Sequence, residues 1–178
     1  MNPRRIDIYY ETIEGQTAAV AQRMKARLEQ AGHEVRVARC RDTKTGDIEQ
    51  ADIAIVGGSI HAGNHHTRVL EFARQHAALL SSKPSAFFLV CLTAHSGKPE
   101  APGIVAGYLE TFAQKTDWKP RVSKAFAGAL LYTQYGFVKR KIMETINRKE
   151  GGETDVTKDH VYTDWQAVDA FADEVSTL

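Results

Sequence analysis

The sequence predicts an α/β fold: a three-layer α/β/α sandwich around a five-stranded parallel sheet in the order 2-1-3-4-5. Three observations carry this. Short apolar runs of strand character alternate with helical patterns along the chain, which places parallel strands between two helical layers. The third and fourth runs are apolar almost without interruption, as strands covered on both faces are. The first run passes into a helix through a tight turn containing a glycine, and such sheets bind ligands at the carboxyl ends of their strands.

Strand one spans Arg5 to Tyr10, and helix one runs from Gln16 to Ala31, closed by Gly32. Glu34 to Arg39 alternates as strand two. Asp52 to Gly58 reads as a buried strand three whose terminal glycines permit close approach of another group. Thr67 to Leu80 is a helix with Val69, Phe72, Ala73 and His76 on one face. Ala86 to Leu92 forms strand four, followed by a polar loop from Thr93 to Pro102 and a helix from Ile104 to Thr116. Strand five begins near Val122 and runs toward Ala127. The last helix, Asp164 to Val175, starts behind an Asp or Thr cap.

The 178 residues fit one domain spanning 1–178, with no internal repeat. A net charge of +1 offers no global reason to bind nucleic acid. No apolar stretch reaches the length of a membrane span and the N-terminus lacks a signal-peptide core, so a cytoplasmic protein is expected. Cys40 and Cys91 both follow apolar runs and are expected as free thiols, with Cys91 too buried to act as a nucleophile.

The turn after strand one is an anion corner, because unpaired amides and the helix dipole converge there. It lacks the lysine of a P-loop and the three glycines of a dinucleotide fingerprint. The spacing Thr12-x-x-Gly15-x-Thr17 instead resembles the FMN phosphate loop of flavodoxins, whose strand order is also 2-1-3-4-5. An ordinary strand-to-helix turn capped by Thr12 or Thr17 is the plain alternative. Three loops come to one sheet edge in this flavodoxin-like arrangement: Glu11–Thr17, Gly58–His66 and Thr93–Gly103.

Between strand five and the last helix lies a long insertion, residues 128–163, and a connection of that length is usually functional. Within it Val138, Ile142 and Ile146 recur at helical spacing, among Lys139, Arg140, Lys141, Arg148 and Lys149. A basic amphipathic helix over 137–149 suits an anionic membrane surface, an acidic apolar ligand, or simple packing on the domain.

The words Gly151-Gly152-Glu153-Thr154-Asp155 and Tyr162-Thr163-Asp164-Trp165 are more specific. With Glu14-Gly15-Gln16-Thr17, Gly58-Ser59-Ile60 and Lys83-Pro84-Ser85-Ala86-Phe87, they resemble the flavodoxin-type, menaquinone-dependent protoporphyrinogen IX dehydrogenases from about Ile6 to Phe171. The resemblance implies non-covalent FMN, with Thr12, Ile13, Glu14, Gly15, Gln16 and Thr17 around its phosphate. Ser59, Ile60, His61, Ala62 and Gly63 would line one side of the flavin ring, and Leu92, Thr93 and Ala94 another. Glu14 is expected to point away from the phosphate and cap helix one. Ala62 stands where the resembled enzymes carry a tyrosine, which weakens ring stacking on that face.

The implied reaction is oxidation of protoporphyrinogen IX in heme biosynthesis, with menaquinone or another quinone as acceptor. Lys139, Arg140 and Lys141 are placed to pair with the substrate propionates, and Tyr132, Tyr135 or Phe137 to meet its ring. Quinone resides in the bilayer, so peripheral contact at the inner face of the membrane through the basic helix is expected, and oligomeric state is left open. The competing functions are a flavodoxin-like electron carrier and an FMN-dependent quinone reductase with another substrate. The first fits poorly with 23 basic against 22 acidic residues, because carriers present an acidic docking face. His61, His65 and His66 cluster, but no cysteine pair or spaced carboxylate accompanies them, so no metal site is expected.

Overall fold

The computed structural model describes residues 2–134 and 155–178. Five parallel strands, β1 (Arg5–Tyr10), β2 (Glu34–Arg39), β3 (Ile53–His61), β5 (Ser85–Cys91) and β6 (Val122–Ala127), lie in the order β2-β1-β3-β5-β6. This is the expected 2-1-3-4-5 sheet. Ile8 stands opposite Ile55 and Tyr10 opposite Gly57, while Val56 pairs with Phe87.

Period-two alternation divides the core. Ile6, Ile8, Ile53, Ile55 and Phe88 face a layer made by α1 (Gln16–Gln30) and α6 (Trp165–Ser176). Tyr9, Val56, Phe87 and Leu89 face the other layer: α2 (Thr45–Gln50), α3 (Thr67–Gln75), α4 (Ala77–Ser81) and α5 (Ala101–Thr116). Phe87 and Phe112 stack at 3.8 Å between ring centroids, and Trp118 donates its indole N–H to Ser85 Oγ at 3.1 Å. On the first face α1 and α6 are joined by Arg23–Asp169 and Arg27–Asp173, two ion pairs one helical turn apart.

Helix ends follow their local chemistry. Gly32, at φ 89°, closes α1 and lets the His33 N–H donate to the Leu28 carbonyl at 3.1 Å. Asp164 caps α6, its Oδ1 accepting from the amides of Gln166 and Ala167. The group that approaches strand three is the Phe88 ring: a Cβ on Gly57 would stand 2.1 Å from Phe88 Cζ.

Four details differ from the expected elements. The helix from Thr67 to Leu80 is two helices, because His76 leaves the helical region (φ −109°, ψ 15°) with its ring 4.8 Å from that of Phe72. The α2 helix is absent from the sequence reading: it is six residues long and buries only Ile48. Its C-terminus is closed from outside, by Lys83 Nζ donating to the carbonyls of Ile48, Glu49 and Ala51. The α5 helix begins at Ala101 rather than Ile104, with Pro102 in its first turn, where no backbone N–H is needed. Strand β3 continues to His61 and turns back through β4 (Asn64–His65), so much of the second loop is a hairpin.

The described ends of the insertion form an antiparallel clasp of β7 (Ala129–Leu130) and β8 (His160–Val161). Asp159 accepts from both the N–H and the hydroxyl of Thr133, at 2.9 Å each. Leu130, Leu131 and Tyr132 are buried there against Val156 and Tyr162. The predicted basic helix over 137–149 lies outside the described residues.

Candidate functional site

The carboxyl ends of β1, β3 and β5 enclose a cavity of about 540 Å³. Its wall takes Thr12, Ile13, Glu14, Gln16 and Thr17 from the first expected loop, Ser59 to Gly63 from the second, and Leu92 and Thr93 from the third. Gly15 and Ala94 lie in those loops but off the wall. Val90, Cys91, Tyr108, Gly128 and Ala129 complete it. Tyr108 comes from α5 and was invisible to a reading confined to the loops.

Gly15 is the N-cap of α1, at φ 98°, a left-handed conformation in which any side chain is strained. Thr12 Oγ1 accepts from the Gly15 N–H at 2.9 Å and holds the turn closed. The amides of Gln16, Thr17 and Ala18, in the first turn, have no intrahelical acceptor. Thr17 is 1% exposed, and its hydroxyl has no hydrogen-bond partner among the described residues. A buried hydroxyl beside unpaired amides at a helix N-terminus is a donor set for an oxyanion. No lysine or arginine stands on the described wall.

Glu14 departs from its expected role. No side chain caps α1, because glycine occupies the cap position. Glu14 instead approaches the second loop, with Oε1 3.9 Å from His61 Nδ1.

Beneath the turn is a cluster the sequence reading did not single out. Glu11 is fully buried, and its carboxylate accepts from Arg39 at 3.0 Å and from Arg41 Nε and Nη2 at 3.1 and 3.0 Å. Arg41 adds its backbone N–H at 3.2 Å, and Arg39 also lies 5.1 Å over the Tyr10 ring. The cluster ties the start of the anion turn to the end of β2. Its signal in the sequence was a charge directly after an apolar strand, with one arginine ending the neighbouring strand and a second two residues beyond it.

In the second loop Ala62 (φ 48°) and Gly63 (φ 78°) both take left-handed conformations, as a two-residue hairpin with positive φ at both turn positions requires. Ala62 is costly there, by about 1–2 kcal/mol, and Asn64 Nδ2 donates to its carbonyl at 2.9 Å. The three histidines separate. His65 Nε2 bonds the Tyr108 carbonyl at 2.9 Å, fastening the hairpin to α5. His66 Nδ1 accepts from Arg68 N–H at the start of α3. His61 faces Glu14. Burial pushes both His65 and His66 below the ordinary histidine range.

The third loop is a turn, Leu92–His95, that carries the His95 ring onto Tyr162, stacked at 4.0 Å. The insertion also reaches the first loop: Gln16 Nε2 donates to Thr163 Oγ1 at 2.7 Å, and that hydroxyl donates to the Ala127 carbonyl at 2.7 Å. Tyr132, expected against a substrate ring, is fully buried in the clasp, with its ring edge-on to His160. It has no open face to offer a ligand. Tyr135, Phe137, Lys139, Arg140 and Lys141 lie outside the described residues.

Residues 7–157 match the flavodoxin domain family. The protoporphyrinogen IX dehydrogenase (quinone) of Escherichia coli strain K12 is 34% identical over 171 residues, covering 96% of this chain and 94% of that protein. Its counterpart in Leishmania major is 37% identical, over 95% of this chain and 73% of that protein. Among solved structures, a flavodoxin of Streptococcus pneumonia TIGR4 aligns over 97% of this chain and 98% of its own, with a TM-score of 0.59 and 17% identity. Oxidised flavodoxin 1 of Bacillus cereus aligns over 97% of both chains, also at 0.59, with 16% identity.

Proposed function

We propose, for a chain that belongs to the flavodoxin domain family and within it to the protoporphyrinogen IX dehydrogenases, that it oxidises protoporphyrinogen IX to protoporphyrin IX through FMN, with a quinone as acceptor. The observation that carries this reading is the reach of the identity, which spans almost the whole chain and includes the insertion. The two solved flavodoxins share only the fold, at 16–17% identity.

The cavity suits FMN. Thr12, Gly15, Gln16 and Thr17 would hold the phosphate, with the unpartnered Thr17 hydroxyl and the first-turn amides as donors. Ile13, Ile60 and Leu92 give the ring apolar walls, while Ser59, His61, Ala62, Gly63 and Thr93 border it. FMN, when bound, supplies the hydride-accepting ring, and the chain places it and excludes competing chemistry. The clasp of β7 and β8 joins the insertion to two of the three cofactor loops, through Gln16–Thr163 and His95–Tyr162. Substrate held by the insertion is thereby held in register with the flavin.

Lys139, Arg140 and Lys141 pair with the propionates, and Tyr135 or Phe137 meets the macrocycle. Menaquinone is the physiological acceptor and heme biosynthesis the setting. No helix among the described residues is long and apolar enough to cross a membrane. Access to a bilayer quinone comes through peripheral contact by the basic segment 137–149 on the inner face. Flotation with neutral and anionic vesicles tests that contact: selective binding to anionic vesicles is expected, and equal, negligible binding to both rejects it.

The reaction is tested by its first half. FMN-loaded protein mixed anaerobically with protoporphyrinogen IX should bleach in the flavin band as porphyrin fluorescence appears. An unchanged flavin sinks the assignment and favours an electron carrier or another substrate.

A further inference from the structure

Four residues on the cavity wall can ionise: Glu14, His61, Cys91 and Tyr108. Burial pushes the Cys91 thiol up, away from proton exchange at neutral pH. Histidine is the side chain suited to that range. His61 lies on the hairpin that extends β3, and Glu14 on the turn after β1, so their 3.9 Å approach brings two of the cavity's loops together. The imidazole side chain is 50% exposed and the carboxylate 22%, which leaves the ring reachable while the acid is held beside it. The other two histidines of this hairpin are engaged elsewhere, His65 with Tyr108 and His66 with the start of α3.

Resting on the dehydrogenase reading above, we propose that His61, oriented by Glu14, is the proton-exchange residue of the cavity. It takes the proton that the substrate sheds at each two-electron step and returns it to the quinone. In the oxidative half, a C–H bond at a bridging carbon of the macrocycle breaks, and FMN, when bound, would supply the acceptor for its hydride. A pyrrole N–H bond breaks, its proton passes to the neutral imidazole, and its electron pair closes the new conjugated double bond. In the reductive half the quinone takes up that hydride, and the proton held on His61 goes to the quinone oxygen. Substrate has then lost two hydrogens, quinone has gained two, and the imidazole is neutral again. Glu14 is the positioning residue, and its carboxyl group beside the ring favours the imidazolium between the halves.

Full-length FMN-loaded protein is compared with His61→Gln and Glu14→Gln by three readouts. FMN titration by fluorescence quenching sets the concentration at which each protein is fully loaded, so that the other two readouts compare parent and variants at saturating FMN. The midpoint potential of the bound flavin is followed from pH 6 to 8. Reduction draws a proton onto His61 in the parent protein, so His61→Gln should give a shallower slope. Flavin reduced with dithionite is then mixed with a menaquinone analogue. The expected loss of rate is about 100-fold in His61→Gln, with a flattened pH profile, and a smaller loss with a displaced profile in Glu14→Gln. A His61→Gln protein that keeps the parent slope and rate overturns the proposal. If the parent protein fails to react with both porphyrinogen and quinone, the dehydrogenase reading falls. The slope then judges His61 alone: a shallower one in the variant upholds its proton uptake, and an equal one rejects it.

Discussion

Replacing Thr17 by Val should move two measurements in opposite directions. The Thr17 hydroxyl is buried and has no partner among the described residues. An unsatisfied buried hydroxyl costs about 1–3 kcal/mol. Valine keeps the shape and removes that cost, so the apoprotein should gain about 1 kcal/mol, or roughly 2–4 °C in Tm for a chain of this size. With FMN bound, the same hydroxyl donates to a phosphate dianion, a charge-assisted bond of about 1.5–3 kcal/mol. Its loss should weaken FMN about 10–100-fold. Differential scanning fluorimetry of the apoprotein and fluorescence-quenching titration with FMN give the two values. A destabilised apoprotein would mean that the hydroxyl has a partner after all. Unchanged FMN affinity would place the phosphate elsewhere.

Removing both Arg39 and Arg41 by substitution with Ala strands the fully buried Glu11 carboxylate, at a cost of about 3–5 kcal/mol. Either single substitution leaves one partner and should cost clearly less; urea unfolding checks this, and additive, small losses would refute it. Gly57→Ala drives a methyl group into the Phe88 ring and should cost about 1–3 kcal/mol by thermal unfolding. Gly57→Ala combined with Phe88→Leu should recover part of that loss, and no recovery would reject the steric cause. Burial holds His65, His66 and His76 below the ordinary histidine value of 6.5. Lowered folded values mean that the unfolded chain binds more protons, so stability is full above 6.5 and is lost as pH falls through the lowered values. Tm should therefore drop between pH 7 and 5, less steeply in His76→Gln; a flat Tm over that window contradicts it.

The sheet was legible because each strand carries its own pattern, and Ile6, Ile8, Ile53 and Ile55 fall on one face by alternation alone. Gly15 and Gly32 announced the two ends of α1 through the backbone shapes they permit. Glu14 was misread because a sequence does not say which residue of a turn becomes the cap; the left-handed Gly15 takes that position and turns the acid toward His61. The Glu11 cluster depends on the parallel register that sets Tyr10 opposite Arg39, which no local pattern reveals. The β7–β8 clasp was hidden for a related reason: its strands are two residues each and 30 positions apart, too short for any periodicity. Tyr132 looked like a ligand contact by residue type, but it is the hydrophobic centre of that clasp.

Turnover under anaerobic conditions tests the central claim most directly. FMN-loaded protein is supplied with excess protoporphyrinogen IX, with and without a menaquinone analogue, and porphyrin fluorescence and quinol are followed together. Sustained porphyrin formation that requires the quinone and matches quinol in electrons is the predicted result. Porphyrin formation that ignores the quinone, or a flavin that stays oxidised in the presence of substrate, would contradict the account.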